Sequence, residues 1–169
     1  MARPAKFPYL EFGGVLAFAH RGGTSTHPEN TLPAFQHAID LGYRYLETDV
    51  HATRDGVLLA FHEMDYAQVA KARIDGREPI PLFAELLASW PEARFNIDPK
   101  QDNAAEPLVK VLSDGNALDR VCVTSFSDRR TAGIRDILGP RLCTGLGPLG
   151  TARMRFSSLS GRLAGIWGS

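Results

Sequence analysis

Five consecutive apolar residues, Val15 to Ala19, stop abruptly at His20, the pattern of a strand buried in a parallel sheet. Pro28, Glu29, Asn30 and Thr31 then form a turn and helix start, with Asn30 or Thr31 as the cap. Phe35, Ala38 and Ile39 recur at helical spacing, and Gly42 stands where a C-terminal cap belongs. Tyr43 to Val50 returns to strand character, Asp55-Gly56 marks a turn, and Val57 to Phe61 is another apolar run, ending in His62. Met64 to Glu78 is polar and mixed, read as a short helix and a loop. Leu82 to Trp90 predicts a helix, entered through Pro79 and Pro81 and stopped at Pro91. A strand over Arg94 to Lys100, a helix over Glu106 to Leu112 and a strand over Val121 to Phe126 follow. Ser127 caps a helix running to about Leu138, and Arg141 to Leu146 reads as a last strand. This alternation predicts an α/β fold with a parallel sheet, one domain over residues 1–169, with 151–169 a poorly patterned tail.

The 169 residues are 44% apolar and 22% charged, an ordinary globular composition that excludes wholesale disorder. Nineteen basic residues balance nineteen acidic ones, so no nucleic-acid footprint and no stable membrane anchor is expected. A small, locally basic anion pocket is compatible with that balance. No apolar run approaches the ~20 residues needed to span a bilayer, and Met1 to Gly14 lacks the apolar core of a signal peptide. A cytoplasmic protein is the expectation. Cys122 and Cys143 lie in apolar runs without metal-ligand spacing, and two buried free thiols are expected rather than a structural disulfide.

The chemistry is suggested by where the polar residues fall. In parallel α/β folds catalytic groups collect at the C-terminal ends of strands, and four predicted strands end in His20-Arg21, Glu47-x-Asp49, His62-Glu63 and Asp98-x-Lys100. Residues two apart on a strand share a face, so Tyr45, Glu47 and Asp49 project together, as do Asn96, Asp98 and Lys100. Two converging carboxylates repel each other, and a cation removes that cost. With Asp98 as a third donor, the all-carboxylate set suits a divalent cation, Mg²⁺ or Ca²⁺. The plainer alternative is that Glu47 and Asp49 are solvated or paired with Arg44 and Arg54. His20 and His62 suit a general acid and base near neutral pH; packed histidines at strand ends are the alternative. Arg21 supplies a bidentate clamp for an anion and Lys100 a point charge. A histidine pair, a hard cation and an anion clamp together describe phosphoryl-ester cleavage. Pro99 argues against an uninterrupted central strand there.

The pieces His20-Arg21-Gly22, Pro28-Glu29-Asn30-Thr31, Ala34-Phe35, Glu47-Thr48-Asp49-Val50, Thr53-Arg54-Asp55-Gly56 and His62 resemble, in order, the glycerophosphodiester phosphodiesterase family. Ile80-Pro81, Asn96-Ile97-Asp98-Pro99-Lys100 and Ser125-Phe126 extend the resemblance over roughly residues 15 to 147. It implies a TIM-type (β/α) barrel in which Glu47, Asp49 and Asp98 bind the cation. His20 and His62 would be the catalytic pair, Arg21 and Lys100 would hold the substrate phosphate, and Asn30 would brace the mouth. The implied partner is a small-molecule phosphodiester, cleaved to an alcohol and glycerol 3-phosphate.

Three departures from the family pattern stand out. His62-Glu63 runs directly into Met64-Asp65-Tyr66-Ala67, where relatives carry an insertion. Asp98 stands where glutamate is commoner. The C-terminal strands of the family are missing, and Trp167 stands too near the end to replace them. Five or six strands of eight imply an incomplete barrel with open edges and self-association through them. The tail from Thr151 to Ser169 is then either an amphipathic helix over the gap or a frayed end. Competing functions are a catalytically silent remnant that binds phosphate or a partner, and a phosphodiesterase directed at phospholipid-like diesters.

Overall fold

The structure is a computed structural model describing residues 5–23, 25–62, 73–74 and 78–164, with no side chains described for 73–74 and 158–164. The strands are β1 (Phe18–His20), β2 (Tyr45–Ala52), β3 (Leu58–Ala60), β4 (Arg73–Ile74), β5 (Glu78–Pro79), β6 (Arg94–Pro99), β7 (Val121–Val123) and β8 (Cys143–Thr144). The helices are α1 (Leu32–Asp40), α2 (Phe83–Ser89), α3 (Ala105–Asp114), α4 (Asp128–Leu138) and α5 (Pro148–Ala164). The main sheet runs β1-β2-β6-β7-β8 in chain order, all parallel, and β3 folds back antiparallel on β2. Right-handed crossovers that always step in one direction place their helices on one face and curl the other face inward. This is barrel winding, and five of the eight parallel strands of a closed barrel are present among the described residues.

Side-chain alternation divides the interior in two. Leu46, Val50, Phe95, Ile97, Val121 and Val123 meet Phe35, Leu86, Leu108, Leu112 and Ile134 in the main core between sheet and helices. On the concave face a smaller cluster joins Tyr45, Cys122 and Cys143 to Tyr9. Tyr9 lies in a 3-10 turn, Pro8–Leu10, that plugs this face. The Tyr45 hydroxyl donates to the Tyr9 carbonyl at 2.6 Å, and Arg94 donates to the Glu11 carbonyl at 2.6 Å and to the Tyr45 hydroxyl at 2.7 Å.

The elements differ from expectation in instructive places. Thr31 caps α1, its Oγ1 accepting from the Ala34 N–H at 3.3 Å. β1 begins only at Phe18, where its register with β2 starts; before it Val15 is 88% exposed, while Leu16 is partly buried against the concave cluster. Pro99 does sit in the middle strand of the sheet, opposite Val50, but as the last residue of β6. There its free carbonyl, not its missing N–H, is what the neighbours use. β4 and β5 pair as a short antiparallel ribbon where a helix and loop were expected; residues 63–72 and 75–77 of that segment, including Glu63, lie outside the described residues, as does Trp167. The described part of the tail, residues 151–164, is helical within α5, and among its described side chains Met154 and Phe156, like Leu149 before them, are 62, 71 and 64% exposed rather than packed over an apolar gap; residues 165–169 lie outside the described residues. No described helix is long and apolar enough to cross a membrane.

Candidate active site

Register assembles the site. His20 is level with Glu47, and Asp49 is level with Asp98, so β1, β2 and β6 deliver three carboxylates and a histidine to one rim at their C-terminal ends. Beyond β1 the chain turns sharply: Arg21, Gly22 and Gly23 all have positive φ, and Gly22 packs so tightly on α1 that an added Cβ would lie 3.0 Å from the Phe35 nitrogen. This turn aims the Arg21 N–H at Glu47 Oε2 (3.1 Å) and its guanidinium at Asp49 and Glu29. Asn30, also at positive φ, donates its N–H to the Arg21 carbonyl at 2.8 Å and accepts from the Thr48 hydroxyl at 2.8 Å. It therefore braces the turn from below, fully buried.

The two strong cations are already engaged. Lys100 Nζ lies 2.6 Å from Asp49 Oδ1 and 2.7 Å from Asp98 Oδ2, and Arg21 Nε lies 3.1 Å from Asp49 Oδ2. Burial works against the Lys100 charge, but its hydrogen bonds to Asp49 and Asp98 raise its pKa overall. The same opposition, won by Glu29 and Asp49, raises that of Arg21. Glu47 is the exception. Burial, and then the Asp49 charge beside it, push its carboxyl up to about 7. His20 Nε2 stands 3.7 Å from Glu47 Oε2 with its side chain 67% exposed, and His62 Nδ1 stands 3.8 Å from Glu29 Oε1.

Asp49 and Asp98 therefore share an ammonium ion, whereas Glu47, Asp49 and Asp98 are not gathered into a metal cluster: no group of three His, Cys, Asp or Glu side chains among the described residues is arranged to hold an ion. The chemistry of the donors still fits a hard cation. All three are carboxylates, and the buried Asp49 Oδ2 completes no hydrogen bond even with Arg21 Nε beside it.

Three contributors escape a reading of the sequence. Glu29, read only as part of a helix start, holds the Arg21 guanidinium at 2.8 Å and faces His62. His51 continues the alternation of Tyr45, Glu47 and Asp49 by one more step, and its Nε2 meets the His62 carbonyl at 3.1 Å. Burial lowers its pKa and favours the neutral ring. Extending the same i, i+2 pattern was the available signal. Arg130 on α4 donates to the Pro99 carbonyl (2.7 Å) and Ser125 Oγ (3.0 Å), tying the ends of β6 and β7 together; no local motif announces it. Beside Asp98 opens a cleft of about 450 Å³ lined by Thr124, Phe126, Leu146 and Pro148. Another cleft, of about 330 Å³ around Tyr43, Trp90 and Glu92, lies at the opposite ends of the strands, away from the carboxylate–cation group.

Residues 20–139 match the family described as glycerophosphoryl diester phosphodiesterase. A protein of Mycobacterium tuberculosis named "Probable glycerophosphodiester phosphodiesterase 2" is 40% identical over 155 residues, covering 82% of this chain and 59% of that protein. Lysophospholipase D GDPD1 of Mus musculus is 29% identical over 124 residues, covering 57% of this chain and 39% of its own. The chain thus spans only part of the length of these relatives. Among solved structures, a glycerophosphodiester phosphodiesterase from Parabacteroides distasonis superposes with a TM-score of 0.67 at 20% identity, covering 80% of this chain and 68% of that one. A phosphodiesterase from Oleispira antarctica, in complex with the product sn-glycerol-3-phosphate, superposes with a TM-score of 0.64 at 22% identity, covering 76% and 64%. The fold they share with this chain is the (β/α) barrel, here incomplete.

Proposed function

Because the chain belongs to the glycerophosphoryl diester phosphodiesterase family, whose members are phosphoric diester hydrolases, we propose that it handles the phosphate of a glycerophosphodiester and cleaves it to an alcohol and glycerol 3-phosphate. The observation that carries this reading is the rim itself, where Lys100 bridges Asp49 and Asp98 and Arg21 spans Asp49 and Glu29. Two cations held in fixed positions by carboxylates are pre-oriented donors for an anionic ester. In this reading Arg21 and Lys100 bind the phosphoryl oxygens. One of His20 and His62 takes a proton from the attacking water or neighbouring substrate hydroxyl, and the other gives a proton to the departing alkoxide. Glu47 orients His20, and Glu29 orients His62 and Arg21. Glu47, Asp49 and Asp98 would hold a divalent cation, Mg²⁺ or Ca²⁺, which when bound draws charge from the phosphoryl oxygens. A cytoplasmic setting and self-association through the open sheet edges belong to the same proposal.

The test is release of glycerol 3-phosphate from a glycerophosphodiester, with either cation added and with excess chelator. Turnover should require the cation and should fall by roughly 10²–10⁴ in His20→Ala. Full activity in chelator would remove the cation from the scheme, and no turnover by the unaltered protein would remove the hydrolysis.

The sheet's five parallel strands, against eight in a closed barrel, favour a second reading, a silent remnant that binds phosphate or a partner. Cation-dependent thermal stabilisation with no hydrolysis would select it. The apolar wall of the cleft, Phe126 and Leu146, favours a phospholipid-like diester as the competing substrate.

A further inference from the structure

Two buried nucleophiles lie outside the proposed reaction. Cys122 on β7 and Cys143 on β8 are register partners on adjacent parallel strands, both buried and both free. Register partners project to the same side. Adjacent strands run roughly 4.8 Å apart, inside the ~4.4–6.8 Å separation of Cα atoms that a disulfide requires. The two side chains lie in one buried cluster, near enough that each thiol shifts the pKa of the other. Around them lie Tyr9, Tyr45, Phe7 and Leu16, so the pair is enclosed by apolar and aromatic surface.

We propose that Cys122 and Cys143 are a modification site, a dithiol that closes to an intramolecular disulfide and fastens β8 to β7. The interaction with Cys122, opposed by burial and aided by the Arg135 charge, lowers the pKa of Cys143, whereas Cys122 is pushed up. Arg135 donates to the hydroxyl of Thr144, the residue next to Cys143, at 2.8 Å, and this neighbouring cation makes Cys143 the first nucleophile. An oxidant small enough for this enclosed pair is a peroxide. The Cys143 thiolate attacks one peroxide oxygen: an S–O bond forms, the O–O bond breaks, and hydroxide leaves with the electron pair. The Cys122 sulfur then attacks Cys143: the S–S bond forms, the S–O bond breaks, and the oxygen departs as water with the Cys122 proton. Two thiols and one hydrogen peroxide give one disulfide and two waters.

The consequence falls on the weakest part of the sheet. β8 is two residues long, and β7 is its one partner strand among the described residues. A covalent link there closes the loop that contains α4 and restricts the unfolded chain.

Treating the full chain with hydrogen peroxide and digesting it without reductant tests the assignment. The intact mass should fall by about 2 Da, the two hydrogens lost, with one peptide pair joined through Cys122 and Cys143. The melting temperature should rise by several degrees and return on reduction. A mass gain from sulfinic or sulfonic acid, chains joined to one another, or thiols unchanged after treatment would each overturn it. In Cys122→Ser, dimedone should label a sulfenic acid at Cys143; an unlabelled Cys143 would overturn the order of attack. The measurements on the unaltered chain stand whether or not this variant folds.

Discussion

Asp49 is the residue on which most of the site converges. Its oxygens face Lys100 on one side and Arg21 on the other, and it is 1% exposed. Lys100→Met would leave Asp49 and Asp98 level with each other on adjacent strands with no ammonium between them. Breaking a buried pair in this way costs roughly 3–5 kcal/mol, less where solvent reaches one partner, and about 2–4 kcal/mol is expected here from denaturant unfolding without divalent cations. Glu47 carries a pH dependence of opposite character. Its folded carboxyl titrates at about 7, against an ordinary 4.5, so between those values the folded chain keeps a proton that the unfolded chain has released. That contribution is complete below about pH 4.5, declines as pH rises, and is gone above 7. It amounts to at most roughly 3 kcal/mol. Chelator-treated protein should therefore lose stability across this window, and Glu47→Gln should flatten the loss; an unchanged slope in the variant would assign it to another group. Alternation made Glu47 and Asp49 legible, because same-face projection follows from strand geometry alone. Glu29 was not legible, since its partner Arg21 reaches it only through a turn of positive φ that no periodicity encodes.

Elements hold these residues at angles that single positions control. Gly22 is one, with φ +81° and no room for a Cβ beside the Phe35 nitrogen. Gly22→Ala should cost about 1–3 kcal/mol and impair phosphate binding more than any surface change, which thermal melts and substrate titration together would reveal. Arg130 is another. Arg130→Ala removes bonds from the ends of both β6 and β7 and should cost about 1–3 kcal/mol. A loss within error would show that the strand ends are held by the sheet alone. The alternation of strands and helices was readable at this scale because buried apolar runs and caps are local signals, as Thr31 and Ser127 illustrate. Strand ends were not. β1 and β8 are shorter than their apolar runs because pairing depends on a neighbour, and a neighbour is a tertiary fact.

For the molecule as a whole the unclosed sheet dominates. Phe126, Leu146, Leu149, Met154 and Phe156 are each more than half exposed along β7, β8 and α5, and an exposed edge flanked by such side chains invites association. The proposed self-association should appear as concentration-dependent elution in size-exclusion chromatography, weakened by Phe126→Asp. A monomer at every concentration would refute it.

Since β3 folds straight back on β2, His62 returns to the same strand that carries Glu47 and Asp49. Apart from Asp98 and Lys100, every predicted participant in the chemistry comes from residues 20–62, wired together over short chain distances. A mutational scan should consequently divide into two narrow windows of abolished turnover, one from His20 to His62 and one around Asp98 to Lys100. Changes downstream of them should alter yield and solubility instead.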